Sequence, residues 1–239
     1  MFLGSFLLTG CNSISAGDST SSSDNLSEAQ VQPVSTNSKA MFDNLPKLEG
    51  IAKVELTVNG SKIVLEINGN EAPVTAGNFV DLVQKGVYDG LAFHRVIKSP
   101  QPFVAQGGDP QGKDPNFPVE RLGTGGYVDE TGSKRQIPLE IKLEGDSEPT
   151  YSKGLGQQSG IRSPKVVLKH DRGALAMARS AAPDSASSQF YIALADLDFL
   201  DGDYAVFGKV LSGMDVVDGI NQGDRIESAQ VIEGGENLK

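Results

Sequence analysis

Apolar and polar side chains first alternate regularly near Ile51, where Val54, Leu56 and Val58 share one parity, and again with Ile63, Leu65 and Ile67 after Asn59-Gly60. Two period-two runs joined by Asn-Gly predict a β-hairpin, because this dipeptide accepts the positive φ angles of a tight turn. Pro73 suits a first helical turn, and Ala76, Phe79, Val80 and Val83 then share one face before Gly86. This spacing predicts a helix of about three turns over one end of a sheet. Short β-like runs recur at 92–97, 103–106, 173–178, 189–194, 205–211 and 226–233, separated by Gly, Pro, Asp and Asn. Many short strands with few helices predict a mainly β fold, a closed barrel or a sandwich. A second helix is expected over 213–222, where Met214, Val217 and Ile220 form a stripe. The chain contains no internal repeat.

Upstream of this pattern, Asn12 to about Ala40 is rich in Ser, Thr, Asn and Gln with isolated aliphatics. Such a tract buries too little apolar surface to offset its chain entropy, so 12–45 reads as a disordered tether and 46–239 as one folded domain. The first eleven residues, MFLGSFLLTGC, are apolar and resemble the h-region of a signal peptide. Leu8-Thr9-Gly10-Cys11 resembles the lipobox of bacterial lipoproteins, which implies cleavage before Cys11 and a lipid on its thiol. Cys11 is the only cysteine, which fits an exported protein. No apolar run approaches the roughly 20 residues that span a bilayer. The expected location is therefore extracytoplasmic and periplasm-facing, lipid-anchored to a bacterial membrane.

Charge and chemistry narrow the functional classes. A formal net charge of -10 disfavours a broad electrostatic grip on nucleic acid. His94 and His170 are the only histidines, too few for a zinc ligand set, and both are expected to be structural. Asp196, Asp198, Asp201 and Asp203 miss the spacing of a calcium loop and read as a solvated rim. No Gly-x-Ser-x-Gly elbow accompanies the serines of SAAPDSASSQF. Neither a metal nor another cofactor is expected, and the chain is expected to act as a monomer.

One stretch is far more specific. Phe93-His94-Arg95-Val96-Ile97, followed by Phe103-Val104-Ala105-Gln106-Gly107-Gly108-Asp109, closely resembles the signature FHRxIxxFxxQGGD of the cyclophilins. Gly123-Thr124-Gly125-Gly126, the run 173–178, Ser188-Gln189-Phe190-Tyr191-Ile192, Phe199-Leu200-Asp201-Gly202 and the run 205–210 agree with that family in order. The resemblance covers about 51 to 233. It implies a closed eight-stranded antiparallel β-barrel capped by two α-helices, and peptidyl-prolyl cis-trans isomerase activity on proline-containing polypeptides.

Rotation about an Xaa-Pro bond is slow because amide conjugation sets a barrier of about 18–20 kcal/mol. A cationic donor that hydrogen-bonds the prolyl nitrogen as it pyramidalises stabilises the twisted state over either planar one. The resemblance assigns that role to Arg95, always charged and fork-shaped, with Gln106 orienting it or the substrate carbonyl. It assigns the apolar proline pocket to Phe103, Val104, Tyr191 and Leu200, peptide backbone contacts to Ala178 and Arg179, support of the same wall to Gln189, and further substrate-binding positions to Phe199 and Tyr204. Val104, Phe199 and Tyr204 stand where the eukaryotic pattern has methionine, tryptophan and histidine. Without the indole N–H that tryptophan offers to cyclosporin, weak inhibition by it is expected.

Between Asp109 and Gly173 the chain is about twice as long as in compact members, with the excess near 144–164. That segment reads as a surface loop, able to cover the groove, recognise a partner or do neither. The insertion Ser99-Pro100-Gln101-Pro102 lies nearer Arg95 and is the expected modifier of substrate choice. The other reading is a binding module or assembly chaperone that holds a proline segment with little turnover, although such a module has no need of the cation.

Overall fold

In the computed structural model, the structure describes Phe42 and residues 44–239. The signal-like segment 1–11 with Cys11, and the expected tether up to residue 41, lie outside the described residues.

Strands β1 (Ile51–Val58) and β2 (Ser61–Asn68) form the expected hairpin. Asn59 and Gly60 take φ angles of 51° and 70°, the left-handed pair that a two-residue turn requires. Alternate residues of both strands are buried, so each strand has one wet and one dry face. Helix α1 (Pro73–Gln84) follows, then β3 (Arg95–Val96) and β4 (Val104–Gly107). A small hairpin, β5 (Glu140–Ile141) with β6 (Thr150–Tyr151), stands apart from the main sheet. The sheet resumes with β7 (Ala174–Met177), β8 (Phe190–Ala193) and β9 (Val206–Ser212), and after α2 (Met214–Gly219) it ends with β10 (Ile226–Glu233).

The main sheet has eight strands in the order β10-β1-β2-β9-β7-β8-β4-β3, every described pair antiparallel. It curls into a half-barrel, and the expected closed barrel is not formed. The two edge strands, β10 and β3, share no ladder. Among the described residues they meet around one bridge between Ala92 and Arg225, with backbone bonds from Phe93 N to Asp224 O at 2.8 Å and from Ile226 N to Leu91 O at 2.9 Å. The physical reason is register: around that antiparallel bridge Phe93 faces Asp224 and Ile226 faces Leu91, so β3 runs on beyond the start of β10 and β10 runs back beyond the start of β3, and the two strands diverge from their one bridge.

Inside the curl, Phe79 from α1 meets Tyr88, Phe190 and Phe207 with ring centroids 5.0–5.3 Å apart. Helix α1 is buried along nearly its whole length rather than on one stripe, because Pro46 and Lys47 pack against Gly77 while Arg135 and Glu140 reach Asp81, Val74 and Thr75. Ala72 offers α1 no side-chain cap. Glu140, 2% exposed, reaches across instead and accepts from the N–H groups of Val74 at 3.1 Å and Thr75 at 2.7 Å. Burial pushes its carboxyl above the usual range, and the bonds from Thr75 and Val74 oppose that rise. The longer connection is thus more than surface loop: Leu139, Ile141, Leu155, Val166 and Ala205 form a small core of their own. Replacing Glu140 by alanine would leave two buried helix N–H groups unpaired, so Glu140→Ala is expected to cost about 2 kcal/mol in urea unfolding.

Candidate active site

The strands beneath the candidate site are apolar on both faces. Leu175, Met177, Phe190, Ile192 and Phe207 point into the main core, while Ala174, Ala176, Tyr191, Ala193, Val104 and Val206 form a second buried cluster on the opposite face. Phe103, Ala178, Leu200 and Tyr204 pack on this second cluster and leave it partly open.

The opening is a recess of about 230 Å³ lined by Arg95, Phe103, Val104, Gln106, Ala178, Arg179, Tyr191, Leu200 and Tyr204. Register brings these residues together. Arg95 lies opposite Gln106 across β3 and β4, and Gln106 lies opposite Tyr191 across β4 and β8. Arg95 Nη1 donates to Gln106 Oε1 at 3.3 Å, Gln106 Nε2 to Gln189 Oε1 at 3.2 Å, and Gln189 Nε2 to the Gly125 carbonyl at 2.7 Å. This chain of amides aims an oxygen of Gln106 at the guanidinium. The guanidinium also lies 5.4 Å from the centroid of the Phe103 ring, a cation-π contact that holds it at the mouth of the recess.

Of the residues that the sequence points to, Phe199 and Gln189 do not line this recess. Phe199 is 47% exposed and stacks nearly parallel on Phe103 at 6.1 Å, as a shelf on the outer rim. Gln189 lines a neighbouring cavity of about 320 Å³ with Thr124, Ser180, Ser185 and Ser187. Ala178, Arg179 and Gln106 border both spaces. A larger hollow of about 510 Å³ lies against β10 and the end of α1, remote from all of these side chains.

His94, next to the key arginine, faces away into the fold and is 6% exposed. Burial lowers its pKa, with Asp109 pulling the other way. His170 has a more definite task that sequence reading did not resolve. Its Nδ1 lies 2.7 Å from Asp201 Oδ1 and its Nε2 lies 2.9 Å from the Tyr191 hydroxyl. A carboxylate oxygen only accepts, so Nδ1 carries the proton and Nε2 accepts from Tyr191. Burial, with Tyr204 adding to it, pushes the Tyr191 hydroxyl far above its ordinary range, so it stays a donor. The only sequence trace of this buried chain is a tyrosine inside an otherwise apolar strand. Among the described residues, no group of three or more His, Cys, Asp or Glu is disposed to hold a metal ion.

An open antiparallel half-barrel with a guanidinium, an amide and an apolar recess on its outer face defines a class of peptide-groove proteins. Residues 53–234 match the profile of the family described as cyclophilin type peptidyl-prolyl cis-trans isomerase/CLD. A relative from Synechocystis, named as a thylakoid lumen peptidyl-prolyl cis-trans isomerase, is 40% identical over 82% of this chain and 51% of its own length. The chain thus spans about half of that relative. A Helicobacter pylori peptidyl-prolyl cis-trans isomerase is 38% identical over 76% of this chain and 88% of its own. A solved cyclophilin type isomerase from Cryptosporidium parvum superposes with a TM-score of 0.55 at 26% identity, covering 76% of this chain and 97% of that one. Its structure in the presence of the dipeptide Ala-Pro gives 0.51 at 27% identity, covering 76% and 96%. The chain belongs to the cyclophilin-type peptidyl-prolyl cis-trans isomerase family.

The buried hydroxyl yields a direct test of this geometry. Tyr191→Phe keeps the ring but strands His170 Nε2 without its donor, and is expected to lower stability by about 1–3 kcal/mol in denaturant titration.

Proposed function

We propose that this chain is a peptidyl-prolyl cis-trans isomerase acting on Xaa-Pro bonds of exported or folding polypeptides. The observation that carries the reading is Arg95, tied to Gln106 and Phe103 at the mouth of an apolar recess. A proline ring seated on Val104, Tyr191 and Leu200 sheds its water. Its amide nitrogen then lies within reach of a guanidinium that is charged at any working pH. As the imide twists, conjugation is lost and the nitrogen gains a lone pair. A hydrogen bond from Arg95 to that lone pair exists only in the twisted state, so it lowers the barrier without stabilising either planar isomer. No bond breaks and no proton moves, which is why the groove needs neither nucleophile nor general base. The Ala-Pro dipeptide with which the Cryptosporidium relative was solved supports a proline-containing ligand.

We also infer that the protein works outside the cytoplasm. The name of the Synechocystis relative places that protein in the thylakoid lumen, and Leu8-Thr9-Gly10-Cys11 resembles a lipidation signal. Under this reading Cys11 carries the lipid and the polar tract after it holds the isomerase off the membrane.

Two experiments test these readings. In a protease-coupled proline isomerisation assay, Arg95→Ala is expected to lower kcat/KM by about a hundred- to a thousandfold with an unchanged melting curve, and Arg95→Lys to recover only part of it. Full turnover by Arg95→Ala would remove the catalytic assignment, whereas peptide binding without turnover in the wild type would make the chain a holder of proline segments. In bacterial cells, Cys11→Ser is expected to move the protein from the detergent phase to the aqueous phase on Triton X-114 partition.

A further inference from the structure

The insertion near 144–164 has a use that follows from where it touches the fold. The turn 200–204 supplies Leu200 and Tyr204 to the recess. Its other side is occupied by the inserted segment. Leu155 N donates to the Gly202 carbonyl at 2.8 Å, and Gln158 N donates to Asp203 Oδ2 at 3.1 Å. Between Leu155–Gly156 and Asp201–Gly202 the fit is backbone against backbone. A Cβ on Gly156 would collide with the Asp201 carbonyl, and one on Gly202, whose φ is +78°, would stand 2.7 Å from the Gly156 nitrogen. Only glycine at both places permits this approach.

Arg179 completes the contact. Its Nε and Nη2 donate to the Asp203 carbonyl at 2.8 and 2.6 Å, and its Nη1 to the carbonyls of Ser180 and Ala181 at 2.9 and 3.3 Å. The remaining N–H of Nη2 goes to Gln158 Oε1 at 2.9 Å. All five donors of the guanidinium are therefore taken, four by local carbonyls and one by the insertion. Held in this way, the guanidinium lies 4.8 Å from the centroid of Tyr204 and stands between the recess and the neighbouring cavity.

We propose that the inserted segment Gly154–Ser159 is the outer brace of the proline recess, and that Gln158 is a positioning residue that fixes Arg179 on Tyr204 and thereby sets how tightly the groove grips the residues around the proline. The proposal rests on the recess being the proline site. Gln158 touches no substrate and is exposed, so its replacement leaves the core intact. Its effect belongs in KM and not in kcat, because Arg95 and Gln106 are untouched.

The test compares wild type, Gln158→Ala and Gln158→Glu on Ala-Xaa-Pro-Phe anilides that differ in Xaa. Gln158→Ala is expected to raise KM about fivefold, the worth of one net hydrogen bond, with kcat and melting temperature unmoved and with weaker discrimination among Xaa. Gln158→Glu keeps an acceptor for Arg179 and is expected to restore the wild-type values. Equal KM and equal selectivity in all three proteins would overturn the brace, as would a loss that Gln158→Glu does not rescue. If the wild type turns over no peptide, the isomerase reading fails alone. The Kd of the same anilides, titrated against the three proteins, then decides the brace by the same fivefold criterion.

Discussion

Register is the constraint on which this site depends. Arg95, Gln106, Tyr191 and Ala176 form one row across β3, β4, β8 and β7, each directly opposite the next. Because strand side chains alternate with a period of two, the whole row projects to one face of the sheet. A slip by one residue in β3 would drive the guanidinium toward Phe79 and Phe190 and lift an apolar side chain into the groove. Burying an unpaired cation costs far more than such a slip returns, so the aromatic core on one face and the charged rim on the other lock the same alignment.

That alignment explains how an apolar recess survives on an outer surface. The hairpin β1-β2 has one wet face and shows clean alternation. The strands β7 and β8 are buried at every position, and their outward residues form a second cluster that Phe103, Leu200 and Tyr204 only partly cover. The uncovered part is the recess. Arg95 stands exposed at the edge of this surface, and under the isomerase reading proposed above it donates to a nitrogen that becomes basic only on twisting.

The walls of the recess come from sites far apart in sequence. Tyr191 is steadied from behind by His170 and Asp201, and Asp201 belongs to the same turn that carries Leu200 and Tyr204. One short turn thus meets the recess, the buried histidine and the inserted segment. The long connection between β4 and β7 has a small core of its own, an anchor on α1 through Glu140 and a contact with the rim of the recess.

Local rules made much of this legible in the chain itself. Asn59-Gly60 marked a hairpin because few dipeptides tolerate two left-handed residues, Pro73 marked a helix start, and Phe93-His94-Arg95 with Gln106 marked the family because that pattern is rare. Tertiary structure alone decided the rest. Whether the sheet closes depended on the register in which 90–93 meets 223–226, which sends β3 and β10 in opposite directions from one bridge, and Phe199 became a rim shelf because Phe103 lay beneath it. The cap of α1 by Glu140, the pairing of His170 with Tyr191 and the tie between Gln158 and Arg179 join residues tens of positions apart. Such contacts leave no periodicity to read, since a side chain's partner across the fold is chosen by how whole elements pack and not by its neighbours along the chain.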